Sequence, residues 1–105
     1  MGITLTRQVG EQYIKRYFLD VKSIHVGRDQ NYSLVRNGYL IPEDDFVSGI
    51  HCVIDYDGKN FTVRDLSSRN GTYVNGTKIT AARRLEDGDK LRLGKTTIEV
   101  NISEI

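Results

Sequence analysis

Hydrophobic and polar residues alternate in short runs along most of this chain. Such runs are typical of strands that bury one face, and no longer window keeps the continuous apolar stripe of a helix. The pattern predicts the following strands: Ile3 to Arg7, Tyr13 to Leu19, Ser23 to Val26, Tyr39 to Ile41, His51 to Asp55, Asn60 to Asp65, Thr72 to Val74, Thr77 to Ile79, Asp89 to Leu93 and Thr96 to Asn101. The chain is therefore expected to be all-β.

Turn residues separate these runs at nearly regular intervals. Asp57-Gly58, Asn75-Gly76 and Gly94-Lys95 each lie between two predicted strands. Asn-Gly favours a type I′ hairpin turn, in which both central residues have positive φ. Many short strands in one chain indicate a β-sandwich, in which two sheets pack face to face.

The segment from Asp29 to Ser48 breaks this regularity. It contains Asn37-Gly38, the only proline, Pro42, and the acidic run Glu43-Asp44-Asp45. We interpret it as long connections around one short edge strand. Loops at one end of a sandwich are where such folds carry binding residues.

Composition limits the classes of function. A chain of 105 residues fits a single domain, and a formal net charge of +1 does not suit a general nucleic-acid binder. Cys52 is the only cysteine, so no intramolecular disulfide can form, and we interpret it as a small core residue. No apolar run approaches the ~20 residues of a membrane span or resembles a signal peptide. We expect a monomeric cytoplasmic domain.

Two short patterns suggest covalent modification. Met1-Gly2-Ile3-Thr4-Leu5-Thr6 fits the loose myristoylation pattern, but it also begins a strand-like alternation. Triplets such as Asn60-Phe61-Thr62 and Asn70-Gly71-Thr72 fit the glycosylation pattern, which carries no weight without a secretion signal. We expect neither modification.

Catalytic and metal-binding patterns are weak. His25 and His51 lie far apart, and one cysteine gives no zinc-ligand spacing, so we expect no metal and no cofactor. A small hydrolase using Ser48 or Cys52 with a histidine remains an alternative. Adjacent strand residues point to opposite faces, which separates His51 from Cys52. Gly94-Lys95-Thr96 resembles the end of a P-loop but lacks its upstream glycine spacing. We expect no enzyme activity.

The region from Asp65 to Gly76 is rich in hydrogen-bond donors. Ser67, Ser68, Arg69 and Asn70 place hydroxyls, a guanidinium and a carboxamide next to a flexible glycine. Such a set suits an anion.

Three blocks of sequence together resemble the forkhead-associated (FHA) domain family. They are Gly27-Arg28, the Ser-x-x-His block from Ser48 to His51, and the Asn-Gly-Thr-x-x-Asn-Gly block from Asn70 to Gly76. The resemblance covers nearly the whole chain, from about Ile3 to Ile102. It implies an FHA/SMAD-like sandwich of about eleven short, mostly antiparallel strands in two sheets. It also implies binding of phosphothreonine in partner proteins through loops at one end.

The resemblance assigns ligand contacts residue by residue. Arg28 is implied as the ionic anchor of the phosphate, and a guanidinium can grip phosphate oxygens with two parallel bonds. Ser48 is implied as a second phosphate donor, and Arg69 as a residue lining the same pocket. Asn70 is implied to hold the backbone of the bound peptide. Gly49 stands where many members have a polar or basic residue, and its backbone N–H is a further candidate donor.

The remaining motif residues are implied to be structural. His51 is expected to brace the loops by hydrogen bonds, and Thr72 belongs to the same motif. Four further residues are expected to shape the backbone rather than to contact the ligand: Gly27, Gly71, Asn75 and Gly76.

The function implied is recruitment of a protein phosphorylated by a Ser/Thr kinase, with threonine preferred over serine. A small niche for the γ-methyl group is worth ~1 to 3 kcal/mol. The acidic run Glu43-Asp44-Asp45, within the long segment Asn31 to Asp45, suggests a preference for basic residues in the ligand. The alternative is an FHA-like scaffold domain that does not read phosphate. Domains of this size are often one part of a longer chain.

Overall fold

The computed structural model describes residues 1–31 and 37–104. Eleven strands form two sheets in this part of the chain. The strands are β1 (Gly2–Val9), β2 (Gln12–Leu19), β3 (Ser23–Gly27), β4 (Gly38–Leu40), β5 (Cys52–Tyr56), β6 (Phe61–Asp65), β7 (Thr72–Val74), β8 (Thr77–Lys78), β9 (Arg83–Leu85), β10 (Lys90–Leu93) and β11 (Thr96–Ser103).

The two sheets differ in size. The six-stranded sheet has the order β2-β1-β11-β10-β7-β8, and the five-stranded sheet has the order β4-β3-β5-β6-β9. Strands β3 and β4 pair in parallel, whereas the other recorded pairs are antiparallel. The fold is therefore an all-β sandwich of mostly antiparallel strands, as the sequence predicted.

Alternation along the strands places one apolar face of each sheet in a shared core. Ile3 and Leu5 of β1 and Ile24 and Val26 of β3 are fully buried in it. Strand β2 contributes only Phe18 as a buried side chain, because it lies at the edge of its sheet. The buried faces of the two sheets therefore form one core.

Most strand predictions agree with the structure, with one omission. The sequence pattern missed β9, Arg83–Leu85, because two arginines and a leucine show no apolar alternation. His51 lies just before β5 and Ile79 just after β8, although both were predicted as strand residues. Their backbone N–H groups nevertheless bond to Val26 and Thr72, respectively.

The predicted turn and edge strand are both observed. Asn75 and Gly76 have φ values of 50° and 86°, as a type I′ turn requires. The irregular segment contains the short edge strand β4, and its residues 32–36 lie outside the described part of the chain.

Cys52 lies in the core, whereas Gly2 is covered by a side chain on the outer face of its sheet. Cys52 is fully buried, which confirms its interpretation as a core residue, and burial raises the pKa of its thiol far above the ordinary value. Gly2 is a buried residue of β1, with the Tyr17 ring packed across it. Among the described residues, no helix has the length and apolar character needed to cross a bilayer.

Candidate functional site

A small polar cavity of about 170 Å³ lies where three inter-strand loops meet. The loops follow β3, precede β5 and connect β6 to β7. The lining residues are Arg28, Asp45, Phe46, Val47, Ser48, Gly49, Arg69 and Asn70. Every residue predicted to contact a ligand therefore lines one cavity.

Gly27 allows the first two loops to approach each other. A Cβ atom added to Gly27 would lie 2.2 Å from the Gly49 carbonyl oxygen, a distance that no side chain tolerates. The backbone N–H of Arg28 donates to the Ser48 carbonyl at 3.1 Å, and that of Asp29 to the Gly49 carbonyl at 3.1 Å. The absence of a side chain at Gly27 thus places Arg28 beside Ser48.

The Arg28 side chain is held at one point and exposed at its end. Its Nε donates to the Val47 carbonyl at 3.0 Å. The two terminal amino groups have no further partner among the residues that the structure describes. The guanidinium is therefore oriented but retains donors for a ligand.

Ser48 is positioned by both its side chain and its backbone. Its Oγ accepts the Arg69 N–H at 3.0 Å, so its hydroxyl hydrogen can point elsewhere. The Ser48 N–H donates to Nδ1 of His51 at 3.0 Å. The Gly49 N–H, by contrast, has no hydrogen-bond partner within the described residues.

His51 connects two of the loops from inside the protein. It is fully buried, with Nδ1 accepting from Ser48 and Nε2 lying 2.9 Å from the Gly71 carbonyl oxygen. Since Nδ1 accepts a backbone N–H, the proton of the neutral ring must be on Nε2, which donates to Gly71. Burial lowers the pKa of His51 and favours this neutral form, although the Gly71 bond opposes the shift.

This geometry does not suit a serine or cysteine nucleophile. Nδ1 of His51 contacts the Ser48 backbone rather than its hydroxyl, and Nε2 is occupied by Gly71. Cys52 has no access to solvent. Neither proposed nucleophile therefore has His51 as an available base.

Asn70 also has one group engaged within the protein. Its Nδ2 donates to the Phe46 carbonyl at 2.8 Å, and its side chain lies at the cavity. The carboxamide oxygen has no described partner and is an acceptor for a backbone N–H. The Arg69 side chain is exposed on the same rim.

Asp65 organises the loop that carries Arg69 and Asn70, a role that the sequence analysis missed. Its carboxylate accepts the hydroxyls of Ser68 at 2.5 Å and Thr72 at 2.7 Å, and also the Ser68 N–H at 3.0 Å. Burial alone would raise the pKa of Asp65, but these bonds lower it overall. The Asp-x-x-Ser spacing from Asp65 to Ser68 was the available sequence signal, since such residues bond to nearby backbone.

Two of the three acidic residues, Glu43 and Asp44, have partners within the protein. Glu43 pairs with the buried Arg7, with Nε to Oε2 at 2.6 Å, and Asp44 is itself buried. Only Asp45 is both exposed and a lining residue of the small cavity. The preference for basic residues in the ligand stays a prediction, and among these three residues Asp45 is the one placed at the small cavity.

The cavity combines donors with a positive balance of charge. Arg28 and Arg69 contribute two cations, and Asp45 contributes one anion. A guanidinium, a hydroxyl and a free backbone N–H converge there, which is a set that binds tetrahedral oxyanions. A larger open cavity of about 530 Å³ adjoins it across Asp45 and Phe46.

Comparisons with known proteins agree with this architecture. The FHA domain family model matches residues 24–94. The FHA domain-containing protein FhaB of Mycobacterium tuberculosis is 35% identical over 85 residues, which cover 81% of this chain and 51% of that protein. FhaA of the same organism is 34% identical over 101 residues, covering 96% of this chain and 18% of that protein. This chain thus spans about half the length of the FhaB relatives that it matches.

A solved structure has the same fold over the full chain. It comes from a structural and functional study of phosphothreonine-dependent FHA domain interactions, with a TM-score of 0.80, 31% identity and complete coverage of both chains. The FhaA FHA domain complexed with the intracellular domain of Rv3910 has a TM-score of 0.75 and 32% identity, covering 94% of this chain and 99% of that one. The sandwich, the three loops and these matches together show that this chain belongs to the FHA domain family.

Proposed function

We propose that this domain binds phosphothreonine peptides and so recruits a protein that a Ser/Thr kinase has phosphorylated. The observation that carries the proposal is the convergence of Arg28, Ser48 and Asn70 on one polar cavity of about 170 Å³. The domain acts by binding and not by catalysis. We place it in the cytoplasm, where its free buried cysteine is compatible with a reducing environment.

Phosphate would be bound by three kinds of donor. A phosphothreonine carries ~1.5 to 2 negative charges at neutral pH and three strong acceptor oxygens. The terminal amino groups of Arg28 supply charge and two parallel bonds, and the Ser48 hydroxyl and Gly49 N–H supply neutral donors. Arg69 adds a second positive charge at the rim.

The peptide backbone would be held by Asn70. Its Nδ2 is already bonded to Phe46, which fixes the orientation of the carboxamide oxygen. That oxygen can accept an N–H of an extended peptide passing the cavity. Binding would thus combine phosphate recognition with a contact that any sequence can make.

Relatives support this function. One neighbouring structure comes from work on phosphothreonine-dependent FHA domain interactions. Another is EmbR of Mycobacterium tuberculosis in complex with a low-affinity phosphopeptide, with a TM-score of 0.77 and 25% identity over 97% of this chain and 24% of that one. Since this chain spans only part of its FhaB relatives, we propose that it is one domain of a longer protein.

Replacement of Arg28 tests the assignment of the phosphate anchor. Arg28→Ala should weaken binding of a phosphothreonine peptide by about 2 to 4 kcal/mol, because it removes a charged hydrogen-bonding partner. Arg84→Ala is the matched control, since Arg84 is an exposed arginine on β9 outside the cavity. Calorimetric titration of both variants is the measurement.

Thermal unfolding distinguishes binding from folding in this experiment. If the Arg28→Ala protein stays folded and binds the phosphopeptide as tightly as the wild type, Arg28 is not the phosphate anchor. A phosphoserine version of the peptide tests the expected preference for threonine. Equal binding of phosphorylated and unphosphorylated peptides would favour the scaffold alternative.

A further inference from the structure

Asp44 links the cavity loop to a turn in the opposite sheet. Its carboxylate accepts the Phe46 N–H at 2.9 Å, the Lys95 N–H at 2.8 Å and the Thr96 hydroxyl at 2.7 Å. Lys95 and Thr96 lie at the β10–β11 turn, and Phe46 lines the cavity. Asp44 is 8% exposed, so these bonds are largely shielded from water.

The contact between these two segments is close. A Cβ atom at Gly94 would lie 2.8 Å from the Phe46 carbonyl carbon and 3.0 Å from Oδ2 of Asp44. The backbone carbonyl of Asp44 also accepts the Val47 N–H at 3.1 Å. The start of the cavity loop is therefore fixed both by a carboxylate and by backbone packing.

The residues that follow Asp44 orient the ligand-facing side chains. The Phe46 carbonyl accepts Nδ2 of Asn70 at 2.8 Å, and the Val47 carbonyl accepts Nε of Arg28 at 3.0 Å. A displacement of this short segment would move both acceptors at once. The positions of Asn70 and Arg28 consequently depend on where Asp44 holds the chain.

The ionised carboxylate is the form that can make these bonds. Burial raises the pKa of Asp44, but the hydrogen bonds from Thr96, Phe46 and Lys95 outweigh that effect and lower it overall. At neutral pH the group is therefore a pure acceptor, matched to two backbone N–H groups and one hydroxyl.

We propose that Asp44 is a positioning residue for phosphopeptide binding, which sets the orientation of Asn70, and to a lesser degree of Arg28, by tying Phe46 to the β10–β11 turn. The inference rests on the proposed function of the cavity. It assigns Asp44 no contact with the ligand. Its role differs from that of Asp45, which lines the cavity itself.

Asp44→Asn is the direct test, because the amide keeps the shape but cannot accept from every donor. Asp57→Asn is the matched control. Asp57 accepts the N–H groups of Lys59 at 2.8 Å and Asn60 at 2.7 Å, in the β5–β6 turn away from the cavity. Both changes remove an acceptor of backbone bonds, so both are expected to lower the melting temperature.

The affinity of folded protein separates the two variants. The probe is a nonapeptide centred on phosphothreonine, chosen by its binding to the wild type from a degenerate library. Asp44→Asn should raise the Kd for this peptide by roughly 5- to 30-fold, whereas Asp57→Asn should leave the Kd unchanged. Thr96→Val, which removes only the hydroxyl donor, should give a smaller loss and replaces Asp44→Asn if that protein does not fold.

A double-mutant cycle identifies the route of the effect. If Asp44 acts through Asn70, Asp44→Asn should cost distinctly less affinity in an Asn70→Ala background than in the wild type. Additive losses would contradict that route. Wild-type Kd values in both Asp44→Asn and Thr96→Val proteins would overturn the inference.

A measurement without ligand keeps this inference separate from the proposed function. In the free protein, Asp44→Asn should shift the NMR signals of the Asn70 side-chain amide, and Asp57→Asn should not. Unchanged Asn70 signals would refute positioning even if no phosphopeptide bound. If Asp44→Asn shifts the Asn70 signals but the wild type binds no phosphopeptide, the proposed function of the cavity is refuted instead.

Discussion

At the scale of single residues, three side chains at the cavity each make one hydrogen bond within the protein and keep a further donor or acceptor for a ligand. Arg28 donates through Nε, Ser48 accepts through Oγ, and Asn70 donates through Nδ2. Prior orientation of this kind reduces the entropy lost when a ligand binds. His51 supports it from below by fixing the backbones of Ser48 and Gly71.

The neutrality of His51 predicts how stability depends on pH. Its pKa is lowered in the folded protein, whereas it is about 6.5 in the unfolded chain. Between these two values the unfolded chain binds a proton that the folded protein does not. Stability should therefore be full above pH ~6.5 and decline as the pH falls towards the folded pKa, by up to about 1.4 kcal/mol per pH unit.

Urea unfolding between pH 7.5 and 5 measures this decline. The carboxylates of Asp44 and Asp65, whose pKa values are lowered, titrate below this window. His51→Gln should lose most of this decline. A nitrogen NMR spectrum with the proton on Nδ1 of His51 would contradict the proposed tautomer.

Alanine substitutions at Gly27 and Gly49 should differ sharply in their effect on the free energy of unfolding. Gly27→Ala should destabilise the domain by about 2 kcal/mol or more, because its Cβ would overlap the Gly49 carbonyl. Gly49→Ala is the matched control, since its Cβ would meet only Asp29 at 3.4 Å. Equal free energies of unfolding for the two variants would argue against the close approach described above.

At the scale of elements, the strands follow from local pattern and the loops do not. Alternation located β1 and β11 because both pair extensively and bury one face. β9 could not be located in this way, since its pairing with β6 is specified by neighbours in space. The Asp44 to Thr96 bond spans 52 residues, and no local signal encodes such a contact.

Strand β2 is an edge strand of the six-stranded sheet, and we expect Lys15 to protect this edge from pairing with other chains. Lys15 lies in the middle of β2, between the exposed Tyr13 and Tyr17 on the same outward face. A long, apolar edge strand invites pairing with other chains, and an edge lysine opposes it. Lys15→Val should therefore promote association as the protein concentration rises.

Light scattering after size-exclusion chromatography measures this association. Lys59→Val is the control, because it removes the same charge from the β5–β6 turn rather than from an edge. Equal behaviour of the two variants would indicate that net charge, and not the β2 edge, controls association.

At the scale of the whole molecule, the sandwich brings distant sequence blocks to one end. Arg28, Ser48 and Asn70 follow or precede different strands, and the sheet order brings their loops together. These residues were predicted from the resemblance of all three sequence blocks to one family. A single short motif would not have predicted them, because it does not specify which loops meet in the fold. It did not show that Glu43 pairs with Arg7 or that Asp44 is buried, because those roles depend on packing particular to this chain. The ligand-binding roles themselves stay predictions.

The affinity difference between a phosphothreonine peptide and its unphosphorylated form decides whether this cavity recognises phosphate. Calorimetric titration of the wild-type domain with both forms of a library-selected nonapeptide provides it in one experiment. We expect measurable binding of the phosphorylated form and a loss of at least about 2 kcal/mol of binding free energy without the phosphate. Equal affinities, or no binding of any phosphothreonine peptide in the library, would contradict it.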